Sequence, residues 1–322
     1  MDRRRASGIA LVLASAAGFG SGSLFAQPVY HAGVSWLVLS AWRFLFGAGL
    51  TWGWLLISRQ RRRGLRALDR RAIVAAVALG VLYVGNSGAY FAGLETVSPS
   101  LAALIVYLYP ALVAVLSLRI GRRLRGRRAW LALVVALAGV ALAVGGIDPG
   151  AAPPLGGLLL ILVSPVIYSV WIVLAARLAG ERHDAVGDTV DGGASVTAAT
   201  ALMMSATAAV YWIASLSGGQ RVLPADVPAA AWFGLLGVGL LSTFVAIQTF
   251  YAGAQRVGAA QAALISTVEP IYTIALAAVL FGFALTPLQL AGGALIIAGV
   301  LVAQTGPVGE RSPGPAVRVA DE

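Results

Sequence analysis

Residues 93–110 read GLETVSPSLAALIVYLYP, and residues 253–270 read GAQRVGAAQAALISTVEP. The two stretches align without a gap at an offset of 160 residues, and the same offset relates 138–143 to 298–303. The chain is therefore an internal duplication. The identities in the first pair are Gly93 with Gly253, Val97 with Val257, Ala102 with Ala262, Ala103 with Ala263, Leu104 with Leu264, Ile105 with Ile265 and Pro110 with Pro270.

The turns that follow the two copies differ in charge. Residues 119–128, RIGRRLRGRR, contain six arginines, whereas residues 279–288, VLFGFALTPL, contain no charged residue. Arginine-rich loops of membrane proteins stay in the cytoplasm, so the pattern predicts that the second copy crosses the membrane the other way up. Inverted repeats are typical of transporters.

The composition is that of a membrane protein. Mean hydropathy is +0.86, and only 11% of the 322 residues are charged. We expect an all-α polytopic membrane protein with ten transmembrane helices, forming two inverted five-helix repeats at 8–147 and 155–305, before a disordered cytoplasmic tail at 306–322. The predicted spans are 8–29, 33–57, 72–93, 98–118, 129–147, 155–178, 194–215, 230–253, 258–281 and 287–305.

The arginines test this topology. With the N-terminus inside, all of them fall in cytoplasmic segments except Arg221, in an outer loop, and Arg43, within a span. This asymmetry favours a multi-pass protein of the bacterial inner membrane with both termini cytoplasmic. The net charge of +10 then reflects topology and attraction to membrane lipid, and needs no nucleic-acid partner. Residues 1–25 also have the pattern of a signal peptide, but the first span has a counterpart at 155–178.

Two charged residues fall near the middle of predicted spans. A lone charge at that depth costs about 2.5–3.5 kcal/mol, so Arg43 and Glu269 each need a partner, water or a ligand. They could pair, or Arg43 could satisfy helix-end carbonyls while Glu269 binds a coupled proton. Glu269 precedes Pro270, and Tyr109 precedes Pro110. A proline inside a helix frees a backbone carbonyl, so we predict helix breaks that act in gating, with simple kinking as the alternative.

Polar and aromatic side chains follow two predicted helices at helical spacing. Such faces suit a flat or amphipathic small-molecule substrate, and helix packing is the alternative. The candidate substrate-binding residues are Tyr83, Asn86 and Tyr90, then Ser164, Tyr168 and Trp171, and more weakly Tyr107, Gln248 and Tyr272, besides Arg43 and Glu269.

Two helices carry almost no polar side chains. The spans 129–147 and 287–305 contain the pairs Gly139/Ala143 and Gly299/Ala303, a spacing that allows close helix contact. We expect a homodimer through these helices.

The sequence lacks the residues that catalysis would need. It has no cysteine, its two histidines fall in predicted loops, and the spans contain one clear interior acid, Glu269. We therefore predict no enzyme activity, no metal site and no cofactor.

The motifs and their order resemble the EamA family of the drug/metabolite transporter superfamily. The resemblance covers about residues 8–305 and is carried by Arg43-Phe-Leu, Ala102-Ala-Leu with Pro110, Glu269-Pro270, and the glycine-rich stretch 292–300. It implies a cavity between two five-helix halves and a permease, often an exporter, of amino acids or related metabolites. Relatives often carry a glutamate after the ninth helix, where residues 282–285 read GFAL.

We therefore hypothesise a secondary transporter that exports a small amphipathic metabolite, most often an amino acid, by alternating access. The alternatives are an efflux pump for organic cations or drugs and a lipid-handling membrane protein without a transport pathway.

Inversion of the repeats makes a direct prediction about two loops. A tag or a single cysteine at position 122 should be accessible only from the cytoplasm, and one at position 284 only from the opposite side, since the repeats have odd numbers of spans. Accessibility labelling of intact cells and inverted vesicles measures this, and labelling of both positions from one side would exclude the inverted arrangement.

Overall fold

A computed structural model describes residues 3–120, 127–145, 152–178, 190–257, 265–266, 268–282 and 285–304. Several segments discussed above lie outside these residues, namely positions 121–126 of the arginine-rich turn, the loop that follows residue 178, the second-copy motif 262–264 and the tail 306–322.

The described residues form helices and connecting turns, without a β-strand among them. A short 3-10 turn spans Ala229–Ala231, and a π-helical segment spans Val238–Val245. The helices are α1 Arg3–His31, α2 Trp36–Ile57, α3 Arg59–Arg66, α4 Arg70–Gly93, α5 Pro99–Val106, α6 Tyr109–Ile120, α7 Arg127–Gly145, α8 Leu155–Leu178, α9 Val190–Ser217, α10 Trp232–Gly237, α11 Ala246–Val257, α12 Val268–Phe281 and α13 Pro287–Gln304.

Several helices are apolar and long enough to cross a bilayer, as a multi-pass membrane protein requires. By length and composition five qualify within the described segments: Arg3–His31, Arg70–Gly93, Leu155–Leu174, Val196–Ser217 and Ala229–Phe250. Four shorter apolar helices accompany them, at Pro99–Val113, Trp130–Leu142, Val268–Phe281 and Pro287–Gly299. The count of ten spans stays a prediction.

Local sequence sets several helix starts. The side chains of Ser35, Asp69 and Ser98 accept hydrogen bonds from backbone N–H groups in the first turns of α2, α4 and α5. Helix α3 differs from the prediction from sequence, which places residues 58–71 in a loop. It is fixed by Arg61, which donates to the carbonyl of Trp54 at 2.7 Å and lies 3.7 Å from the centre of that indole ring.

Several contacts between a helix of the first half and a helix of the second have a counterpart. In the counterpart, each helix is replaced by the corresponding helix of the other half. Helix α4 packs on α8 and α9, and in the same way α11 and the π-helical segment pack on α1 and α2 respectively. Helix α1 contacts α12, while α8 contacts α5 and α6. Corresponding helices of the halves also meet directly, as in α2 with α9 and α7 with α13. This is the packing expected of two related units that associate face to face.

Glycines allow the closest helix contacts. A side chain at Gly139 would lie 2.6 Å from the carbonyl oxygen of Gly292, and one at Gly299 would lie 2.7 Å from that of Ala132. Gly139 and Gly299, two of the small residues predicted at a homodimer contact, therefore lie at the contact between α7 and α13 inside the chain. A homodimer through α7 and α13 would use their outer faces, where Leu131 and Leu290 are exposed.

Helix α1 uses its glycines in the same manner. A side chain at Gly18 would meet the carbonyl oxygen of Leu241 at 2.8 Å, and one at Gly20 would meet Thr273 Oγ1 at 2.5 Å. Helix α1 thus lies close to both the π-helical segment and α12, which brings two parts of the second repeat against the first.

Replacing Gly139 should weaken the contact between α7 and α13. The added methyl of Gly139→Ala meets backbone atoms of α13 that cannot rotate away, and overpacking costs about 1–3 kcal/mol. The thermal unfolding midpoint in detergent should fall by several degrees. Gly156→Ala is the control, because nothing lies within 4 Å of its added carbon. Equal midpoints for the two variants would contradict the packing.

Candidate functional site

Arg43 is a buried cation in the middle of α2. Its side chain is 6% exposed, and its guanidinium carbon lies 5.0 Å from the ring centre of Phe44 and 4.6 Å from that of Phe91. Aromatic faces attract a cation most when water is excluded, so these rings offset part of the cost of burial.

The π-helical segment supplies the polar partner of Arg43. Arg43 Nε donates to Thr243 Oγ1 at 2.8 Å, and the Thr243 hydroxyl donates to the carbonyl of Val238 at 3.0 Å. The interval of five residues is that of a π-helix, which is often found at functional sites. The widened turn therefore holds the Thr243 hydroxyl where Arg43 can reach it.

Arg43 and Glu269 do not form an ion pair. Hydrogen bonding of Arg43 within the described chain is limited to its Nε, which leaves the two terminal nitrogens without a protein acceptor. Neither of these nitrogens is fully buried, so both retain some solvent-accessible surface. The guanidinium has donors available for a ligand. The predicted pairing of Arg43 with Glu269 is not observed. Arg43 instead donates a hydrogen bond to the side-chain hydroxyl of Thr243.

Glu269 lies in the first turn of α12 and is partly buried. The Tyr107 hydroxyl lies beside its carboxylate and donates a hydrogen bond to the carbonyl of Ser266. Tyr107 is the residue that follows α5, so the junction between α5 and α6 abuts the start of α12.

The two prolines lie close to helix starts. The fourth predicted span is interrupted at Tyr107 and Leu108, and Pro110 is the second residue of α6. Pro270 is the third residue of α12, where a missing N–H leaves no helix bond unmade. Their role in gating stays a prediction.

The two predicted aromatic faces meet. The ring centre of Tyr83 on α4 lies 6.4 Å from that of Tyr168 and 5.3 Å from that of Trp171, both on α8. Tyr168 and Trp171 stack at 5.9 Å, and Trp171 Nε1 donates to the carbonyl of Leu79 at 3.0 Å. The faces thus form one cluster between α4 and α8.

The aromatic cluster extends toward both charged residues. Tyr83 lies 5.9 Å from Phe44, the ring beside Arg43. On the other side Tyr168 lies 4.9 Å from Tyr109, which lies 5.7 Å from Tyr107, the neighbour of Glu269. A continuous series of aromatic rings therefore connects the surroundings of Arg43 with those of Glu269.

The polar members of the faces also pair. Ser164 Oγ donates to Asn86 Oδ1 at 2.8 Å, between α8 and α4, and both residues are buried. Tyr90 contacts Phe91 at 5.2 Å between ring centres. Both Tyr83 and Tyr90 lie near enough to Arg43 and to Glu269 to interact electrostatically with each.

The two weaker candidates differ. Tyr272 is within 3.1 Å of Ser21 Oγ and so takes part in the contact between α12 and α1. The Gln248 side-chain nitrogen is buried without a hydrogen-bond partner in the described part of the protein. Gln248 therefore keeps a donor that helix packing does not use.

Sequence reasoning missed four residues of this region. Phe44 and Phe91 are apolar, Tyr109 was noted only as the residue before Pro110, and Thr243 lies in a span without charge. No residue pattern marks a π-helical turn, so Thr243 could not be found that way. Groups of three or more metal-binding side chains are absent from the segments for which coordinates are described.

The apolar helices and the buried polar cluster are those of a multi-pass membrane protein. The model of the EamA-like transporter family matches residues 6–145 and 155–305. The chain therefore belongs to the EamA-like transporter family, within the drug/metabolite transporter superfamily.

Relatives among curated proteins agree with this assignment. The chain is 25% identical to "Uncharacterized transporter YyaM" of Bacillus subtilis (strain 168), over 82% of this chain and 83% of the relative. It is 28% identical to an "Uncharacterized transporter" of Archaeoglobus fulgidus, over 66% of this chain and 70% of the relative.

One solved structure shows the same fold. It is described only as "Crystal structure of protein", and the two chains superimpose with a TM-score of 0.62 over 92% of this chain and 96% of that one. The identity of 22% limits this likeness to the fold.

Thr243→Val tests the partner of Arg43. The substitution keeps the shape but leaves a buried guanidinium N–H unsatisfied, and a hydrogen bond to a charged group contributes about 1.5–3 kcal/mol. We expect a clearly lower unfolding midpoint in detergent. Thr243→Ser retains the hydroxyl and should lose only the packing of one methyl, about 1 kcal/mol. A Val variant as stable as the Ser variant would show that the hydrogen bond does not hold Arg43.

Proposed function

We propose that the protein is a secondary transporter that exports small amphipathic metabolites, above all amino acids, across the bacterial inner membrane. In this proposal the two five-helix repeats stand inverted, both termini are cytoplasmic, and a central substrate site opens alternately to either side. Membership of a transporter family and the matched helix contacts between the halves support it.

The observation that carries the proposal is that two ionisable side chains, Arg43 and Glu269, lie apart without pairing. Arg43 keeps two nitrogens without a protein acceptor, and Glu269 forms no ion pair with it in the described residues. Charges inside a membrane protein are expensive and mark substrate or ion pathways. A site that holds a guanidinium and a carboxyl group apart, and does not let them pair, is suited to a ligand that brings a partner for each.

An amino acid has this chemistry. Its carboxylate can accept two parallel hydrogen bonds from the terminal nitrogens of Arg43. Its ammonium group is complementary to the carboxylate of Glu269. The rings of Tyr83, Tyr168 and Trp171 offer an apolar surface with polar edges to the side chain.

Glu269 also supports proton coupling. A carboxylate at this depth is stable when it is either protonated or paired with a cation. We propose that Glu269 carries a proton when the site is empty and releases it when the substrate ammonium binds. Proton movement would then be linked to substrate movement.

An efflux pump for organic cations is the second candidate. Glu269 and the aromatic cluster suit a quaternary amine, because aromatic faces bind such groups. Arg43 argues against it, since an unpaired guanidinium repels a cation. Competition of amino acids and quaternary amines for flux in proteoliposomes separates the two functions.

Substrates that lack one charged group test the assignment. We compare flux of an amino acid, its amide, which lacks the carboxylate, and its N-acetyl derivative, which lacks the ammonium. Arg43→Gln should remove the preference for the amino acid over the amide, and Glu269→Gln should remove the preference over the N-acetyl derivative. Each loss should be about 10–100-fold in specificity, as expected for one hydrogen bond to a charged group.

Glu269→Gln should also abolish the pH dependence of flux. Preferences are ratios within one variant, so lower expression does not affect them. Arg221→Gln, an exposed arginine, is the matched control and should keep both preferences. Unchanged preferences in Arg43→Gln and Glu269→Gln would contradict the proposal.

A further inference from the structure

An open apolar groove lies between α2 and α9. Its volume is about 550 Å³. The small residues that line it are Ala48, Gly49, Ala208 and Ala209. Nothing lies within 4 Å of a carbon added to Gly49, so the groove is open at this point.

Two tryptophans line the groove with their ring carbons. Trp52 Nε1 donates to Ser205 Oγ at 2.9 Å, and Trp212 Nε1 donates to the carbonyl of Ala41 at 3.1 Å. Because both indole N–H groups are satisfied within the protein, the surface offered to an occupant is hydrocarbon. Leu45, which also lines the groove, is 40% exposed, so the groove faces the bilayer.

Helix α3 presents one face of arginines. Arg59, Arg62, Arg63 and Arg66 are exposed, lie one turn or less apart along α3, and alone line a cleft of about 400 Å³. Arg61 lies elsewhere, since its guanidinium contacts Trp54.

The arginine face has no acidic partner among the residues with described positions. None of its four side chains makes an ion pair or hydrogen bond there. The nearest acid in sequence, Asp69, caps α4 by accepting from the backbone N–H of Ala72 at 2.7 Å. Four unpaired cations in one cleft form a site for an anion.

The groove and the arginine face belong to the same pair of helices. Trp52 lies five residues before the end of α2, which is about 8 Å along the helix. Helix α3 then begins directly at Arg59 and packs against α9, with Leu65 beside Ala198 and Ala201. Hydrocarbon groove and cationic cleft thus follow one another toward the arginine-rich end of α2.

We propose that this surface binds one anionic phospholipid of the cytoplasmic leaflet. The phosphate lies in the cleft of Arg59, Arg62, Arg63 and Arg66, and one acyl chain lies in the groove between α2 and α9. Guanidinium groups bind phosphate through parallel hydrogen bonds. A zwitterionic headgroup is disfavoured, because its quaternary ammonium would meet four arginines. The site is independent of the substrate site at Arg43.

Native mass spectrometry of the full chain in detergent tests the proposal. With added phosphatidylglycerol we expect one retained lipid per chain, and with phosphatidylcholine none. Each arginine near an anionic headgroup contributes about fivefold to affinity. The triple variant Arg62→Gln, Arg63→Gln and Arg66→Gln should therefore bind about 100-fold more weakly. Gly49→Leu should also displace the lipid, because its side chain fills the groove without a clash in the protein.

Two matched controls should retain the lipid. Gly156→Leu adds the same side chain at a position of α8 that is also in open space and lies outside the groove. Neutralising Arg3, Arg4 and Arg5 removes the same charge from the end of α1.

The proposal would be overturned if the arginine variant and Gly49→Leu both retained the lipid. It would also be overturned if both controls lost it. Equal binding of the two lipids would likewise overturn it. The acidic residues of 181–191 are the rival occupant. Binding of phosphatidylglycerol only after Glu181, Asp184, Asp188 and Asp191 are neutralised would assign the arginine face to that segment.

Discussion

The cost of a positive charge within a bilayer is the constraint on which this structure depends. Arg43 meets it through a single directed hydrogen bond to Thr243 and through the faces of Phe44 and Phe91. The hydroxyl of Thr243 is placed by a π-helical turn in the second repeat, and glycines of α1 allow that helix to lie against the turn. One buried cation therefore links the two halves of the chain.

The same constraint gives the site its chemistry. The protein satisfies only part of the Arg43 guanidinium, and Glu269 is held apart from it beside Tyr107. The interior therefore keeps two ionisable groups that do not pair and are connected by aromatic rings. In a rigid ion pair, Arg43 and Glu269 would bind each other, and neither would have a charged group available to bind a solute. In the proposed transport cycle, separate groups would instead couple the binding of a zwitterionic substrate to changes between conformations.

The sequence predicted much of this and missed the rest for identifiable reasons. Hydropathy predicted an all-helical membrane protein, and the spacing of Tyr83, Tyr168 and Trp171 identified side chains that the fold brings together. Hydropathy does not distinguish an α-helical from a π-helical turn, so Thr243 was missed. Phe44 and Phe91 are ordinary apolar residues until Arg43 lies between them. The arginine-rich loop after α2 proved helical, since its apolar Leu65 packs on α9.

The central claim is that water and solute reach the interior between the halves, and a chain without cysteine allows a direct measurement. Asn86→Cys and Tyr168→Cys should react with a membrane-impermeant thiol reagent, and an amino-acid substrate should slow the reaction. Val81→Cys and Val163→Cys, on the exposed faces of the same helices α4 and α8, should not react. Failure of positions 86 and 168 to react from either side of the membrane would mean that no aqueous pathway exists, and the account of a transporter would be wrong.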